Sequence, residues 1–402
     1  MQKRERIVWI DQLRAIAFIF VILGHMKMDA TPKSWIYSFH MPLFFMISGL
    51  SLNIDKLYKT DFKKFFKAQF QRTIIPYFWI QLVCLFGLCV LNAVTNHKAV
   101  PVGTYLKGIF VANGLIMPYP SAAMYFIIVL FLCQLCLWCI VRLSKKNYGV
   151  MTALCVVFSS LSLITEGKAM PWRINIVPAA VLMIFIGRLL MNLYLEHKEK
   201  IEKSNVLIYA AAVAVLFVLG GILWKYNGRL SMAGNKYGDS FLVALASAVF
   251  TSVAIALIVM KLPKVSLITT IGRNTLFYMG FHRLFISLFE RVFSQWKGTV
   301  PFVAVIALAV FLLLVPLVKY SEKFCPYFLG KPSEKDTPFL IAGKVISIAV
   351  CLFAPVFFIG NKFMDLTVVA NMIITIVVYV CSVVACFFIF QKIPFFYIQN
   401  KQ

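Results

Sequence analysis

The sequence predicts an all-α, polytopic integral membrane protein, and three observations predict it. Of 402 residues, 61% are hydrophobic and only 14% are charged, with a mean hydropathy of +0.86, far from the composition of soluble globular domains. Apolar runs of about 20 residues, the length of a bilayer-spanning helix, recur along the chain. Lys and Arg between the runs alternate between rich and poor connections, 24 on one side against 12 on the other, with Arg14, Arg188, Arg273 and Arg283 inside helices or at their ends. Because cytoplasmic connections carry the basic excess, the bias predicts cytoplasmic N- and C-termini and an even number of spans.

The elements follow in order. The run 7–26 has basic residues before it, but Asp11 and Arg14 interrupt it and no small-residue cleavage site follows, so it reads as a retained helix and not a removable signal peptide. The run 35–54 carries Pro42 just after His40. Residues 61–70 place Phe62, Phe65, Phe66 and Phe70 on one side at helical spacing, with Lys63, Lys64 and Lys67 between them, the pattern of an interfacial helix lying on the inner leaflet. Further runs fall at 74–94, 122–143, 149–165, 176–194, 206–224, 240–260, 268–290 and 299–318. The 149–165 run is short, and 268–290 carries Arg273, His282 and Arg283, so either is a candidate for a tilted or re-entrant segment. The basic connection 319–344 contains Pro and Gly, and the runs 345–361 and 366–391 follow it. This predicts a body over residues 1–330, then a linker and about two C-terminal helices over 331–402.

Cys133, Cys136 and Cys139 recur every three residues on one predicted helix, yet no His or acidic residue accompanies them, so they read as packing residues and not as metal ligands. No disulfide framework is implied. The formal net charge of +25 is explained by topology and attraction to lipid headgroups, which makes nucleic acid an improbable partner. A cationic inner surface also gathers cytosolic polyanions such as a nucleotide-bearing donor.

Arg14 and His25 lie eleven residues apart in the first run. At about 100° per residue their side chains point within roughly 20° of each other, about 16 Å apart along the axis. A central Arg costs on the order of 3 kcal/mol in lipid, so this shared face is predicted to line a polar interior. His40 enters the second span at a depth similar to His25, in the outer half, while Arg72 stands at the inner boundary of the third. Arginines inside and histidines outside suit a two-sided reaction. Guanidinium groups hold a phosphorylated cytosolic donor, and an imidazole near the opposite face takes a proton from an attacking hydroxyl. Bland alternatives exist for several of these residues. His40 could partner carbonyls that Pro42 frees, Arg72 could be a topological anchor, and His282 could be interhelical glue. His97 and His197 read as ordinary surface residues.

At these residues the sequence resembles the acyltransferase family 3 membrane O-acyltransferases, particularly the fucose 4-O-acetylase-like branch. The similar stretches are IDQLRAIAFIFVILGHM with its Arg-x10-His, YSFHMPLFFMISG, QRTIIPY, MYFIIVLFLCQL, FIGRLL, NKYGDSFLVALASAV and IGRNTLFYMGFHRLF, in family order over about residues 5–330. The resemblance implies a ten-helix acyltransferase body, with about two further C-terminal helices here, in a bacterial inner or plasma membrane. It implies transfer of acetyl or another acyl group from cytosolic acyl-CoA, a donor substrate and not a bound cofactor, to a hydroxyl of a cell-surface or lipid-linked carbohydrate. Arg14 and His25 match the family's essential pair, Arg72 the arginine before the third helix and His40 the second-helix histidine of this branch. His25 is then the general base of a direct transfer, or the acyl carrier of a covalent acyl-histidine route, with Arg14 and Arg72 on the donor. His40, His282 and Asp239 are candidates for the acceptor, with Trp172 and Tyr237 as further sugar-binding walls. Met124-Tyr125 stands where many relatives show Leu-Trp, and Asp239 replaces a common Asn. The rival reading is a transporter or flippase for lipid-linked saccharides, since many spans with polar interior groups suit one as well.

Overall fold

Lipid offers a backbone N–H or C=O no partner, so each apolar run satisfies its own polar groups by becoming a helix. The computed structural model describes residues 6–94, 99–112, 119–292, 298–324 and 326–331. Among them the regular structure is helical, with no strand beyond an isolated bridge between Ser231 and Lys236. The helices are α1 (Val8–His25), α2 (Ala30–Leu50), α3 (Ile54–Lys59), α4 (Phe62–Gln69), α5 (Ile75–Val94), α6 (Val102–Val111), α7 (Tyr125–Leu143), α8 (Tyr148–Ile164), α9 (Val177–Glu202), α10 (Val206–Asn227), α11 (Phe241–Lys261), α12 (Ser266–Arg273), α13 (Thr275–Val292) and α14 (Val300–Phe324). The expected C-terminal helices at 345–361 and 366–391, and His97, lie outside the described residues.

Among the described residues, five helical stretches are long and apolar enough to cross a membrane: Val8–His25, Ala122–Leu143, Pro171–Glu202, Val206–Asn227 and Phe241–Lys261. The clearest is α10, whose Val206 and Leu207 are each 76% exposed and whose Ile208 is 69% exposed. A helix apolar all round, with most of its side chains exposed among the described residues, belongs in lipid. The chain is therefore a multi-pass helical membrane protein.

The chain sorts into two units, one of residues up to 62, 132–275 and 296–307, the other of residues 63–131, 276–295 and those from 308. In the first, α2 and α9 touch backbone to backbone. A Cβ on Gly49 would lie 1.8 Å from the Ile184 carbonyl oxygen, and one on Gly187 would lie 2.0 Å from that of Met46. Small residues permit this approach where lipid supplies no hydrophobic drive between helices. Ser247 Oγ of α11 donates to the Gly220 carbonyl of α10 at 2.8 Å, and Ser162 Oγ of α8 donates to the Asn175 carbonyl before α9 at 2.7 Å. Gln12 of α1 donates to the Pro263 carbonyl at 2.7 Å, fixing α1 to the connection between α11 and α12.

In the second unit α5 is the common partner. Tyr77 O–H donates to the Ile109 carbonyl of α6 at 2.7 Å, and Cys84 Sγ donates to the Gly280 carbonyl of α13 at 3.1 Å. The chain enters α5 through a π-helical turn over Phe70–Ile74. Pro76 has no N–H for the Arg72 carbonyl four residues earlier, and the Ile75 N–H reaches back five residues to Phe70, so the proline explains the turn.

Two sequence expectations change. The run 268–290 is two helices, because the Asn274 side chain donates to the Thr270 carbonyl at 2.9 Å and its own N–H goes to Ile271, ending the α ladder. The second helix starts at Ala30 and stops at Leu50, several residues earlier than read. The Phe side of α4 is partly covered and partly exposed: Phe62, 43% exposed, lies edge-on to Trp138 at 5.1 Å, and Phe66 meets Phe131 at 5.7 Å.

Gly187→Leu should force α2 and α9 apart, an overpacking cost of about 1–3 kcal/mol or more. Thermal unfolding in detergent should show a midpoint lowered by several degrees. Gly221→Leu, at a position where a Cβ meets nothing within 4 Å, should leave the midpoint unchanged.

Candidate functional site

In the first unit α1 carries a polar cluster at each end. At its start Asp11, 2% exposed, receives three guanidiniums. Arg6 donates from Nε at 2.6 Å and from Nη2 at 3.0 Å, Arg14 from Nη1 at 2.9 Å and Arg273 from Nε at 3.4 Å. The spacing of three residues brings Arg14 over Asp11 on one helix face. Arg273 arrives from α12, which closes on α1 because residue 272 is glycine: a Cβ there would sit 1.7 Å from the Asp11 carbonyl oxygen. Arg14 also donates from Nη2 to Ser51 Oγ, just past α2, at 2.7 Å.

One carboxylate among three guanidiniums leaves a positive excess. Arg6 and Arg273 side chains are 57% and 45% exposed and Arg14 is 25% exposed, so the cluster faces outward as a cationic surface around a buried counter-charge. The hydrogen bond from Arg6 to the carboxylate holds that guanidinium above its ordinary pKa against the opposing effect of its partial burial. Such a surface suits phosphate-bearing anions, which guanidiniums bind bidentately.

At the other end His25 is the last residue of α1 and half-buried. Tyr37 of α2 reaches the last turn of α1 and one histidine: its O–H donates to the Gly24 carbonyl at 3.4 Å, and its ring stands edge-on to His40 at 4.9 Å. Arg229 lies over the Tyr37 ring, its Cζ 4.5 Å from the centroid. His40 is 5% exposed, and its Nδ1 donates to the Ile36 carbonyl at 2.8 Å. A carbonyl can only accept, so Nδ1 holds the hydrogen and Nε2 is the basic nitrogen of the neutral ring. The carbonyl that Pro42 leaves without its helical N–H is that of Ser38, four residues back, and His40 does not partner it. The reading of His40 as a mate for the proline gap is therefore corrected.

Asp239 is exposed, on a connection organised by Asn227, whose side chain donates to the Tyr237 carbonyl at 2.7 Å and accepts from the Ser240 N–H at 2.8 Å. Tyr237, expected on a sugar-binding wall, is 1% exposed and donates its O–H to Asn235 Oδ1 at 2.8 Å. Burial pushes its phenol pKa up. It anchors the connection and offers no face to a ligand. Trp172 is 51% exposed with φ of 55°, a left-handed conformation uncommon outside glycine.

Arg14, His25, His40 and Asp239 thus share the first unit, while Arg72 and His282 belong to the second. Arg72 is exposed in the π turn. His282 is fully buried on α13, and its Nδ1 donates to the Tyr278 carbonyl at 3.0 Å. Asp11, Arg6, Arg273, Tyr37 and Arg229 escaped the sequence reading. Asp11 and Arg273 had local signals, as charges inside apolar runs, with Asp11 three positions before Arg14.

A family model described as an acyltransferase domain matches residues 7–320 of the chain. No curated protein and no solved structure matches it.

Asp11→Ala should leave Arg14 without its buried partner. Removing one member of a buried pair costs about 3–5 kcal/mol, and solvent screening of three partly exposed arginines brings the expected loss to about 2–3 kcal/mol. Thermal unfolding of Asp11→Ala, Arg14→Ala and the double variant measures this. The double variant should be less destabilised than the sum of the singles.

Proposed function

The chain belongs to acyltransferase family 3, and from that premise we propose that it is a membrane O-acyltransferase carrying an acyl group, acetyl in the simplest case, from cytosolic acyl-CoA to a hydroxyl of a cell-surface or lipid-linked carbohydrate. The observation that carries this reading is the layout of α1, with a guanidinium anchored on a buried carboxylate at one end and an imidazole at the other. The two are separated by about 16 Å of helix and share one face. The likeness to the fucose 4-O-acetylase-like branch supports a sugar as the acceptor.

In this proposal the Arg14 cluster orients the donor at the cytoplasmic end of α1, and the long pantetheine arm carries the thioester toward His25. His25 takes the proton of the acceptor hydroxyl as its oxygen attacks the thioester carbonyl carbon. The C–S bond then breaks, the electron pair leaves on the CoA sulfur, and the imidazolium returns its proton to that thiolate. Tyr37 is a positioning residue, holding the last turn of α1 and the ring of His40 together. Arg72 keeps the donor-side role and His40, His282 and Asp239 the acceptor-side roles that the resemblance implies.

Purified protein given labelled acetyl-CoA and a glycan extract should yield a labelled ester. Loss of a general base should lower the rate about 10²–10⁴-fold in His25→Ala. Arg14→Lys, which keeps the charge but not the planar fork, should raise the KM for acetyl-CoA by roughly tenfold. Saccharide movement without CoA dependence, retained in full by His25→Ala, would overturn the enzyme in favour of a transporter.

A further inference from the structure

A cavity with a cationic wall lies two residues along the chain from Ser51, the partner of Arg14. Arg14 holds Ser51, Arg188 of α9 donates from Nη1 to the next residue's carbonyl, Leu52, at 3.0 Å, and from Asn53 onward the chain lines a cavity of about 530 Å³. Its wall includes Asn53, Asp55, Lys145, Lys146, Tyr148 and Arg188. All of these residues belong to the first unit.

Apart from the Asp55 carboxylate, the polar side chains of the wall chiefly offer hydrogen-bond donors. Asn53 uses its side-chain oxygen to cap α3, accepting from the Lys56 N–H at 2.9 Å, so what its amide has left to give is N–H. Tyr148 O–H accepts from Arg188 Nε at 3.4 Å, leaving its own hydrogen to donate. Of three cations, Lys146 pairs with Asp55 at 2.9 Å, which holds the carboxyl below and the ammonium above their ordinary pKa values. Among the described residues neither Lys145 nor Arg188 is in an ion pair. Lys145 and Lys146 both adopt left-handed φ, 48° and 68°, where a helix end ordinarily carries glycine. Two lysines in consecutive strained positions keep charge at the rim at a conformational cost.

We propose that this cavity binds the phosphorylated nucleoside end of the acyl donor, with Lys145, Lys146 and Arg188 on its phosphoryl groups and Tyr148 and Asn53 donating beside them. The volume lies within the range of small-molecule sites and exceeds what one phosphate fills. A nucleotide seated here sends its acyl arm past Ser51 toward Arg14 and α1. The assignment of the ligand as an acyl donor rests on the acyltransferase reading, whereas the phosphate chemistry of the cavity does not. Anionic lipid headgroups share that chemistry, so the test separates the two sources.

The full chain is placed in phosphatidylcholine nanodiscs and titrated with adenosine 3′,5′-bisphosphate, with adenosine as control. The bisphosphate is expected to bind and adenosine not. Lys145→Glu, whose exposed side chain makes no structural bond, and Arg188→Gln are each expected to weaken binding by roughly tenfold or more. Lys145→Glu is also expected to raise the KM for acetyl-CoA with kcat kept, leaving acetyl-pantetheine, which lacks the nucleotide, unaffected. Unchanged bisphosphate affinity in both variants overturns the proposal. So does bisphosphate failing to bind while phosphatidylglycerol co-purifies with the unaltered chain and not with Lys145→Glu, as native mass spectrometry would read. Binding that the variants weaken, in a protein that transfers no acetyl group, keeps the phosphate site and removes the acyltransferase reading.

Discussion

Asp11 is the constraint around which the first unit is arranged. A carboxylate in the opening turns of an apolar helix, 2% exposed, is tolerated only with positive charge and hydrogen bonds around it. Arg6 comes from the chain just before α1, Arg14 from the next turn and Arg273 from the end of α12, so satisfying one side chain joins segments more than 250 residues apart. Gly272 lets α12 close on the Asp11 backbone, and Gln12 fixes the next residue to Pro263. Arg14 then reaches α2 through Ser51. The arginine that a membrane helix has no cheap reason to carry is held by a carboxylate that has no cheap reason to be there either.

The same cluster explains how a buried charge and an anion-attracting surface coexist. Asp11 neutralises one guanidinium, and the excess positive charge lies on side chains that reach solvent. Arg188 and the Lys145–Lys146 turn extend that surface past Leu52. The far end of α1 has a different character, built from imidazoles, a tyrosine and Arg229 on the ring of Tyr37. A helix with opposite chemistries at its two ends suits a donor that arrives from one side and an acceptor from the other, as the proposed acyl transfer requires.

Proline and asparagine set the local geometry that composition leaves open. Pro76 makes the chain enter α5 through a π turn that carries Arg72. Asn274 ends α12 by taking a carbonyl from its own helix, which leaves Arg273 at a terminus where its guanidinium can reach Asp11. Asn227 folds the connection bearing Asp239 and buries Tyr237 beneath it. In each case a single polar group or a missing N–H redirects a backbone that the hydrophobic pattern alone would have continued.

The sequence by itself determined the class and the existence of most helices, because hydropathy and helical period are local properties of the chain. It also held the Asp11–Arg14 spacing, though an acidic residue in an apolar run reads as an interruption until its partners are known. Only the tertiary structure decided that Arg273 completes that ion cluster, that Tyr37 joins the last turn of α1 to the His40 ring and that Arg188 opens onto a polar cavity. Each of those contacts joins residues from different helices, and the partner of a buried charge is settled by which backbones can approach, as Gly49, Gly187 and Gly272 allow here.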